Sequence, residues 1–311
     1  MVGKPNGYRR DSYRLFLAKN KISTRRPCII RQTLDTTRLS TNDEKLHRKI
    51  LVQVMSFLID SIRNNPSNET LTPPHIGRHV YKIIREITGC KDPYHDIKVK
   101  YNKIALKMYL KLKEIVKNSP DPLLTAIRLS IAGNIIDFGA GTQFDLNATL
   151  KEVLIKEFAI FHYDFFCESL NKTKTLLYLG DNAGEIVFDK ILIEEVKKLH
   201  KVKVYYAVKS IPVINDVTIE DTNEVKMNDV AEIIPNGSDA PGTILDLCSK
   251  KFLKIYNSAQ MIISKGQGNY ETLNEENKKN TFFLLKVKCP LVAEHLEIKV
   301  GDIILKKGAK K

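Results

Sequence analysis

Asp181 and Asn182 stand just beyond an apolar run, Thr175-Leu-Leu-Tyr-Leu179, with only Gly180 between, and an amphipathic helical pattern starts at Glu185 and runs to about Leu199. That is strand, tight loop and helix, the layout in which α/β proteins place ligands at the carboxyl end of a strand. A carboxylate beside a carboxamide offers hard oxygen atoms suited to a divalent cation such as Mg²⁺. Two further polar loops also follow apolar strand candidates: Ile214-Asn215-Asp216-Val217-Thr218 and Ser264-Lys265-Gly266-Gln267-Gly268-Asn269-Tyr270-Glu271. Loops after the strands of a parallel sheet gather at one edge, so the three are expected to converge. The first two bring oxygen ligands; the third brings a cation and free backbone N–H groups. Carboxylates alone repel a phosphate and need a metal to bridge them to it. The glycine-rich loop lets backbone approach an oxyanion, and Lys265 adds charge. Metal plus phosphate cradle predicts phosphoryl chemistry.

Each residue also has a plain structural role open to it. Asp181, Asn182 or Asp216 would serve as a helix N-cap. Lys265 reads equally as a solvated lysine, and Gly266 and Gly268 as turn residues. Other chemistries lack their residues: the chain has no GxGxxG, no GxxxxGK[ST] and no GxSxG. His75 and His79 have the i, i+4 spacing of helical zinc ligands without the HExxH glutamate. Five scattered cysteines with no CxxC pair read as reduced thiols.

The elements that must position these loops divide the chain in two. After a basic arm, residues about 44–160 read as helical: 44–63, a helix from His75 to Gly89, 96–117, 122–136 and 147–158. From residue 174 strands and helices alternate, with strands at 175–179, 202–208, 231–234, 260–264 and 281–288 and helices at 185–199, 216–229, 242–256 and 269–277. Repeated βα units imply a mainly parallel sheet flanked by helices. The expected fold class is α/β, a Rossmann-like sheet preceded by an all-helical part. The expected divisions are a basic extension over 1–26, a helical domain over 27–160 and the α/β domain carrying the metal site over 161–311.

The 311 residues, 43% hydrophobic and 28% charged, suit a globular chain with room for a large core. No apolar run reaches the roughly 18 residues needed to span a bilayer, and no compact apolar leader opens the chain, so a cytoplasmic location and no membrane partner are expected. Of the net charge of +14, part lies in the first 31 residues, where nine lysines and arginines face only Asp11. Such an arm is either a solubilising extension or a contact to nucleic acid. A positive field also draws phosphorylated metabolites toward a cleft.

Eight segments in order are similar to the damage-control phosphatase family, most closely its prokaryotic and archaeal branch: PCIIRQTLD (27–35), TGCKDPYHDIK (88–98), AGNIIDFG (132–139), YLGDNAGEIVFDK (178–190), PVINDVTIED (212–221), NGSDAPGTIL (236–245), SKGQGNYETL (264–273) and VKCPLVA (287–293). The resemblance implies a metal-dependent phosphatase of small phosphorylated metabolites, with Mg, Mn, Co or Ni as cofactor. It implies metal ligands at Asp181, Asn182 and Asp216, and substrate contacts from Lys265, Gly268, Asn269, Tyr270 and Glu271. A lysine after the last strand also touches phosphate in relatives; Lys288 is the better match and Lys286 the alternative. Asn134 and Asp137 match a motif bordering the cleft, or else serve only as helix C-terminal structure. Relatives often carry a CxxC before the first segment; this chain has Arg25 and Cys28 there.

The expected reaction is in-line hydrolysis of a phosphomonoester, with Lys265 and Lys288 offsetting charge on the equatorial oxygens. Asp181, Asp216 and Glu185 all stand where a nucleophile-activating carboxylate is needed. Two rival functions are an S-adenosylmethionine-dependent carboxyl methyltransferase and a nucleic-acid-binding protein using the basic arm.

Overall fold

The computed structural model of the chain describes residues 22–64, 72–133, 154–276 and 280–308. The first part is helical: α1 (Ile22–Ser40), α2 (Glu44–Asn64), α3 (Pro73–Thr88), α4 (His95–Lys117) and α5 (Pro122–Ala132). Local chemistry sets several of these boundaries. Proline occupies the first turn of α3, and Gly89 closes that helix in the left-handed region, its N–H bonded to the Arg85 carbonyl. Asp121 caps α5 by accepting from the Leu124 N–H at 2.9 Å.

The helical part serves two cores. Ile50, Val54 and Leu58 of α2 pack on Val80, Ile83 and Ile84 of α3, with Ile29 and Ile30 of α1 alongside. There His79 stacks on Phe57 at 3.9 Å, and His75 Nδ1 pairs with the Thr72 hydroxyl at 2.7 Å, so each imidazole has a packing or capping role. Helices α4 and α5 instead bury Ala105, Met108, Leu112, Val116, Ala126 and Ile127 in one continuous core with the sheet. The helical segment is therefore two layers with different attachments.

Among the described residues seven strands form one sheet: β1 (Phe158–Phe161), β2 (Thr175–Leu179), β3 (Lys203–Val208), β4 (Glu232–Pro235), β5 (Met261–Lys265), β6 (Thr281–Lys286) and β7 (Ile303–Lys307), in the order β1-β7-β6-β5-β2-β3-β4. Strands β6, β5, β2, β3 and β4 are mutually parallel; β7 is antiparallel to β6 and parallel to β1. The helices that accompany them among the described residues include α6 (Tyr163–Asn171), α7 (Glu185–Leu199), α8 (Ile219–Glu224), α9 (Lys250–Ser258), α10 (Gly266–Leu273) and α11 (Pro290–Leu296). Alternation sends Leu176 and Tyr178 into the core under α4, α5 and α7, and Leu177 and Leu179 into a second core under α9, α10 and α11. Each buried Leu or Ile contributes roughly 1.5–3 kcal/mol. Both faces being covered explains why these strands read as continuous apolar runs.

From β2 the chain proceeds outward through β3 and β4, whereas β5 returns to the other side of β2 and continues to β6. The topological switch point thus lies between β2 and β5, and the crevice beyond their carboxyl ends is where such sheets receive ligands.

Several expectations change. Phe158, expected to end a helix over 147–158, opens β1, and only Leu154 and Ile155 of the described part of that span are helical; residues 147–153 lie outside the described residues. Strand β1 therefore crosses the expected boundary at 160/161. Strand β7 was not expected at all. The helix expected over 216–229 is confined to Ile219–Glu224, and that over 242–256 starts at Lys250, where Ser249 accepts from the Phe252 N–H. No helix among the described residues is long and apolar enough to cross a membrane.

Candidate active site

Two of the three polar loops expected to converge, those after β2 and β3, are joined through the backbone. Asn182 and Asp216 form an isolated antiparallel bridge, which puts them directly opposite each other. Around it the Ala183 N–H donates to the Asn215 carbonyl and the Val217 N–H to the Asp181 carbonyl, each at 2.9 Å. The bend that turns Asp216 into this register passes through Ile214 at φ 48°. A β-branched residue is strained there, and such strain concentrates at functional loops.

None of the acidic residues is spent on capping a helix. The N-cap position of α7 is Gly184, with no side-chain cap bond. The cap of α8 is Thr218, closed by a capping box with Asp221, two residues beyond Asp216. Asp181, Asn182 and Asp216 thus occupy the N-cap position of neither α7 nor α8.

The third loop abuts the first. Gly266 has φ +78°, and a Cβ there would lie 2.0 Å from Asp181 Oδ2. Only glycine satisfies both the left-handed backbone and that approach. Gly266→Ala is expected to cost more than about 1 kcal/mol of stability and to push the Asp181 carboxylate aside, lowering phosphatase kcat at least tenfold. Wild-type kcat in a folded Gly266→Ala variant would show that the carboxylate position is unimportant.

Lys265 is enclosed by protein rather than presented to solvent. It is fully buried, and its ammonium donates to the Ser130 carbonyl at 2.9 Å, Glu185 Oε1 at 2.5 Å and Asp189 Oδ1 at 2.7 Å. An ammonium has three donors, so none is left for a phosphate. The direct phosphate contact expected of Lys265 is thus opposed by its enclosure among Ser130, Glu185 and Asp189. Glu185 is likewise buried, taken up by Lys265, and accepts from Asn182 Nδ2 at 3.3 Å. Asn269 is committed to protein, donating to the Gly180 and Lys265 carbonyls and accepting from Thr243. Tyr270 is a core residue, 1% exposed and edge-on to Phe283. Asn269 and Tyr270, expected as substrate contacts, are thus both buried and engaged with protein partners.

The remaining expected residues sit nearer the rim. Glu271 accepts from Gln267 Nε2 at 2.9 Å, and Gln267 Oε1 receives the backbone N–H groups of Lys288 and Cys289. Gly268 is half-buried against Gly242. Lys288 is exposed, and its charge bears on Asp181. Asn134, Asp137 and the basic arm up to residue 21 lie outside the described residues.

Sequence reading missed Lys209, Asp189, Lys98 and Asn102. Lys209 directly follows β3, is 4% exposed, lies 3.4 Å from Asp216 Oδ2 and donates to the Gly242 carbonyl. Its signal was available: like Lys265, it is a lysine at the end of an apolar strand. Asp189 accepts from Lys265, Ser130, Tyr178 and Tyr206 beneath the site. Its position on the inner face of α7 was legible, but its partners were not.

Burial dominates the electrostatics of the site. Burial, then the neighbouring Asp216, pushes Asp181 up to about 7 against the opposing pull of Lys288, Lys265 and Lys209. Burial raises Asp216 to about 6 despite Lys209 and Lys98. Burial raises Glu185 to about 7, with Lys265 opposing. Burial alone would lower Lys265, but Asp189 and Glu185 hold it up at about 12. Two neighbouring carboxylates whose burial resists ionisation, with a carboxamide beside them, suit a hard cation whose charge would offset that cost. Among the described residues no three His, Cys, Asp or Glu side chains form a ready-made metal cluster, so any ion here would rely on Asn182, waters or substrate to complete its shell.

A mainly parallel α/β sheet with an acidic, lysine-backed crevice at its switch point defines a class of small-ligand enzymes rather than one activity. The comparisons are more specific. Residues 22–304 match the damage-control phosphatase ARMT1-like domain, and the chain belongs to that family. It is 38% identical over 289 residues to an uncharacterized protein of Methanocaldococcus jannaschii, covering 90% of this chain and 93% of that one. It is 32% identical to a damage-control phosphatase of Pyrococcus horikoshii, covering 89% and 94%, and 32% identical to one of Archaeoglobus fulgidus, covering 90% and 96%. The crystal structure of a DUF89-family protein from P. horikoshii superposes with a TM-score of 0.82 at 31% identity, covering 91% of this chain and 97% of that one. Nothing in these relationships supports the methyltransferase or nucleic-acid-binding alternatives.

Proposed function

We propose that this protein is a divalent-metal-dependent phosphatase that hydrolyses phosphomonoesters of small metabolites. Family membership carries the phosphatase class. The observation that carries the metal site is the bridged pair of Asn182 and Asp216, with Asp181 packed against Gly266 beside it. Asp181, Asn182 and Asp216 would hold the ion. When bound, such an ion supplies Lewis-acid charge to phosphoryl oxygens and a water of lowered pKa.

The chain's own residues do the rest. Lys265 keeps Glu185 and Asp189 neutralised, which stops the floor of the crevice from repelling a phosphate. Lys288, exposed at the rim, is the cation placed to meet the substrate's phosphoryl oxygens. Lys209 steadies Asp216 and ties it to the Gly242 turn. The first turn of α10 begins at Gly266, beside Asp181, where helix N-termini favour anions. Asp181 and Asp216 are both candidates to take the proton of the attacking water.

Chelation is expected to remove turnover of a generic aryl phosphate. Adding back Mn²⁺, Co²⁺, Ni²⁺ or Mg²⁺ singly to a panel of phosphorylated metabolites should restore it with at least one metal. Full activity after exhaustive chelation would rule out the metal reading while leaving the family intact.

A further inference from the structure

Helix α4 presents one buried stripe, Lys98, Asn102, Ala105, Met108, Leu112 and Val116. From residue 105 onward the stripe is apolar and packs in the sheet core. Its first two positions are polar and buried, Lys98 at 2% and Asn102 at 0% exposure. Burying polar groups is costly unless each is paired, so both need a reason to be there.

Their partners give the reason. Asn102 Oδ1 accepts from the Gly184 N–H at 2.7 Å, at the end of the Asp181-Asn182 loop. Its Nδ2 donates to Asp221 Oδ1 and Glu224 Oε2, each at 2.9 Å, on the helix that follows Asp216. One carboxamide therefore spans the loops after β2 and β3. Lys98 Nζ lies 2.8 Å from Asp92, and 3.4 Å from both Asp221 and the Thr218 hydroxyl. Asp221 in turn accepts from the Thr218 N–H at 2.8 Å, fixing the chain two residues beyond Asp216. These contacts connect α4 to both ends of the bridge between Asn182 and Asp216 without either α4 side chain being a ligand.

We propose that Asn102 and Lys98 are positioning residues through which helix α4 sets the spacing of the two metal-binding loops, so that metal affinity depends on the helical layer. The inference rests on the metal site proposed above. A carboxamide supplies what the position requires, an acceptor toward one loop and two donors toward the other. Removing it leaves Gly184, Asp221 and Glu224 with unmet groups and frees the loops to move apart.

The test is Mn²⁺ affinity by calorimetry, together with the Mn²⁺-induced rise in thermal midpoint, on the full chain. Asn102→Ala is expected to bind Mn²⁺ at least 10-fold more weakly while remaining folded by circular dichroism, within the range seen for residues supporting metal ligands. Asn102→Ser, a milder change, covers the case of a poorly folded alanine variant and is expected to shift in the same direction. Val116→Ala, on the same stripe but remote from both loops, is expected to lose stability and keep wild-type affinity. Wild-type affinity in Asn102→Ala and Asn102→Ser would overturn the proposal, as would an equal loss in Val116→Ala. The underlying reading is judged separately: binding by wild type and none by Asp181→Asn supports it, and no Mn²⁺ binding by wild type overturns both.

Discussion

Asp181→Asn is expected to lower phosphatase activity roughly a thousandfold, about 4 kcal/mol of barrier, while raising the thermal midpoint of the metal-free protein at pH 8. The two effects share one cause. Asp181 and Asp216 have folded-state values raised to about 7 and about 6, by burial and, for Asp181, by its neighbour as well. In the unfolded chain an aspartate titrates near 4. Between pH 4 and 7 the folded state therefore holds more protons, and stability is lost as pH rises through that window. A neutral asparagine escapes the loss, so the variant's advantage should be full above pH 7 and disappear below about pH 4. A divalent ion relieves the same repulsion, so Mn²⁺ should stabilise wild type at pH 8 and leave Asp181→Asn unmoved. Thermal melts at pH 4 and pH 8, with and without Mn²⁺, check each part. A variant less stable than wild type at pH 8 would mean that Asp181 stabilises the fold, contrary to a site tensed for a cation.

Lys265→Met is expected to be the most destabilising single change in the site. The ammonium is completely buried and neutralises Glu185 and Asp189, which are buried themselves. Removing one partner of such a cluster leaves uncompensated charge and costs about 3–5 kcal/mol. For a chain of this size each kcal/mol moves the midpoint by roughly 2 °C, so a fall of about 5–10 °C is expected. Burial already raises Glu185, and without Lys265 it must protonate to stay buried, so the defect should shrink as pH falls toward 5 and grow toward 8. Lys265→Arg should not rescue, because a planar guanidinium does not fit the three acceptors around the compact ammonium. A deficit independent of pH would point to lost packing instead. Lys288→Met makes the comparison: an exposed lysine should cost little stability, and a loss in KM or kcat without a change in midpoint would mark it as the cation that meets substrate.

Much of this architecture was legible in local pattern. The strands over 175–179 and 260–264 announced themselves as apolar runs ending in glycine or lysine, and the helix after Glu185 by its periodicity. The short terminal strands were not legible. Ile303–Lys307 is five residues whose pairing, antiparallel to β6 and parallel to β1, depends on edges made by distant segments. Phe158–Phe161 alternates half-buried and exposed positions at a sheet edge, a pattern too brief to separate from a helix end.

The site divides along the same line. Sequence by itself determined that Asp181, Asn182 and Asp216 would meet, because loops after parallel strands share an edge, and the order of apolar runs and polar breaks fixes which residues occupy those loops. Only tertiary structure decided which lysine faces outward. Lys265 and Lys288 look alike as basic residues near strand ends, yet one is enclosed by Ser130, Glu185 and Asp189 and the other is exposed. Only tertiary structure, too, brought Lys98 and Asn102 of α4 to loops more than 80 residues away. Strand and loop order is a local property of the chain, whereas a buried polar group's role is set by the partners that satisfy it, and those come from wherever the fold delivers them.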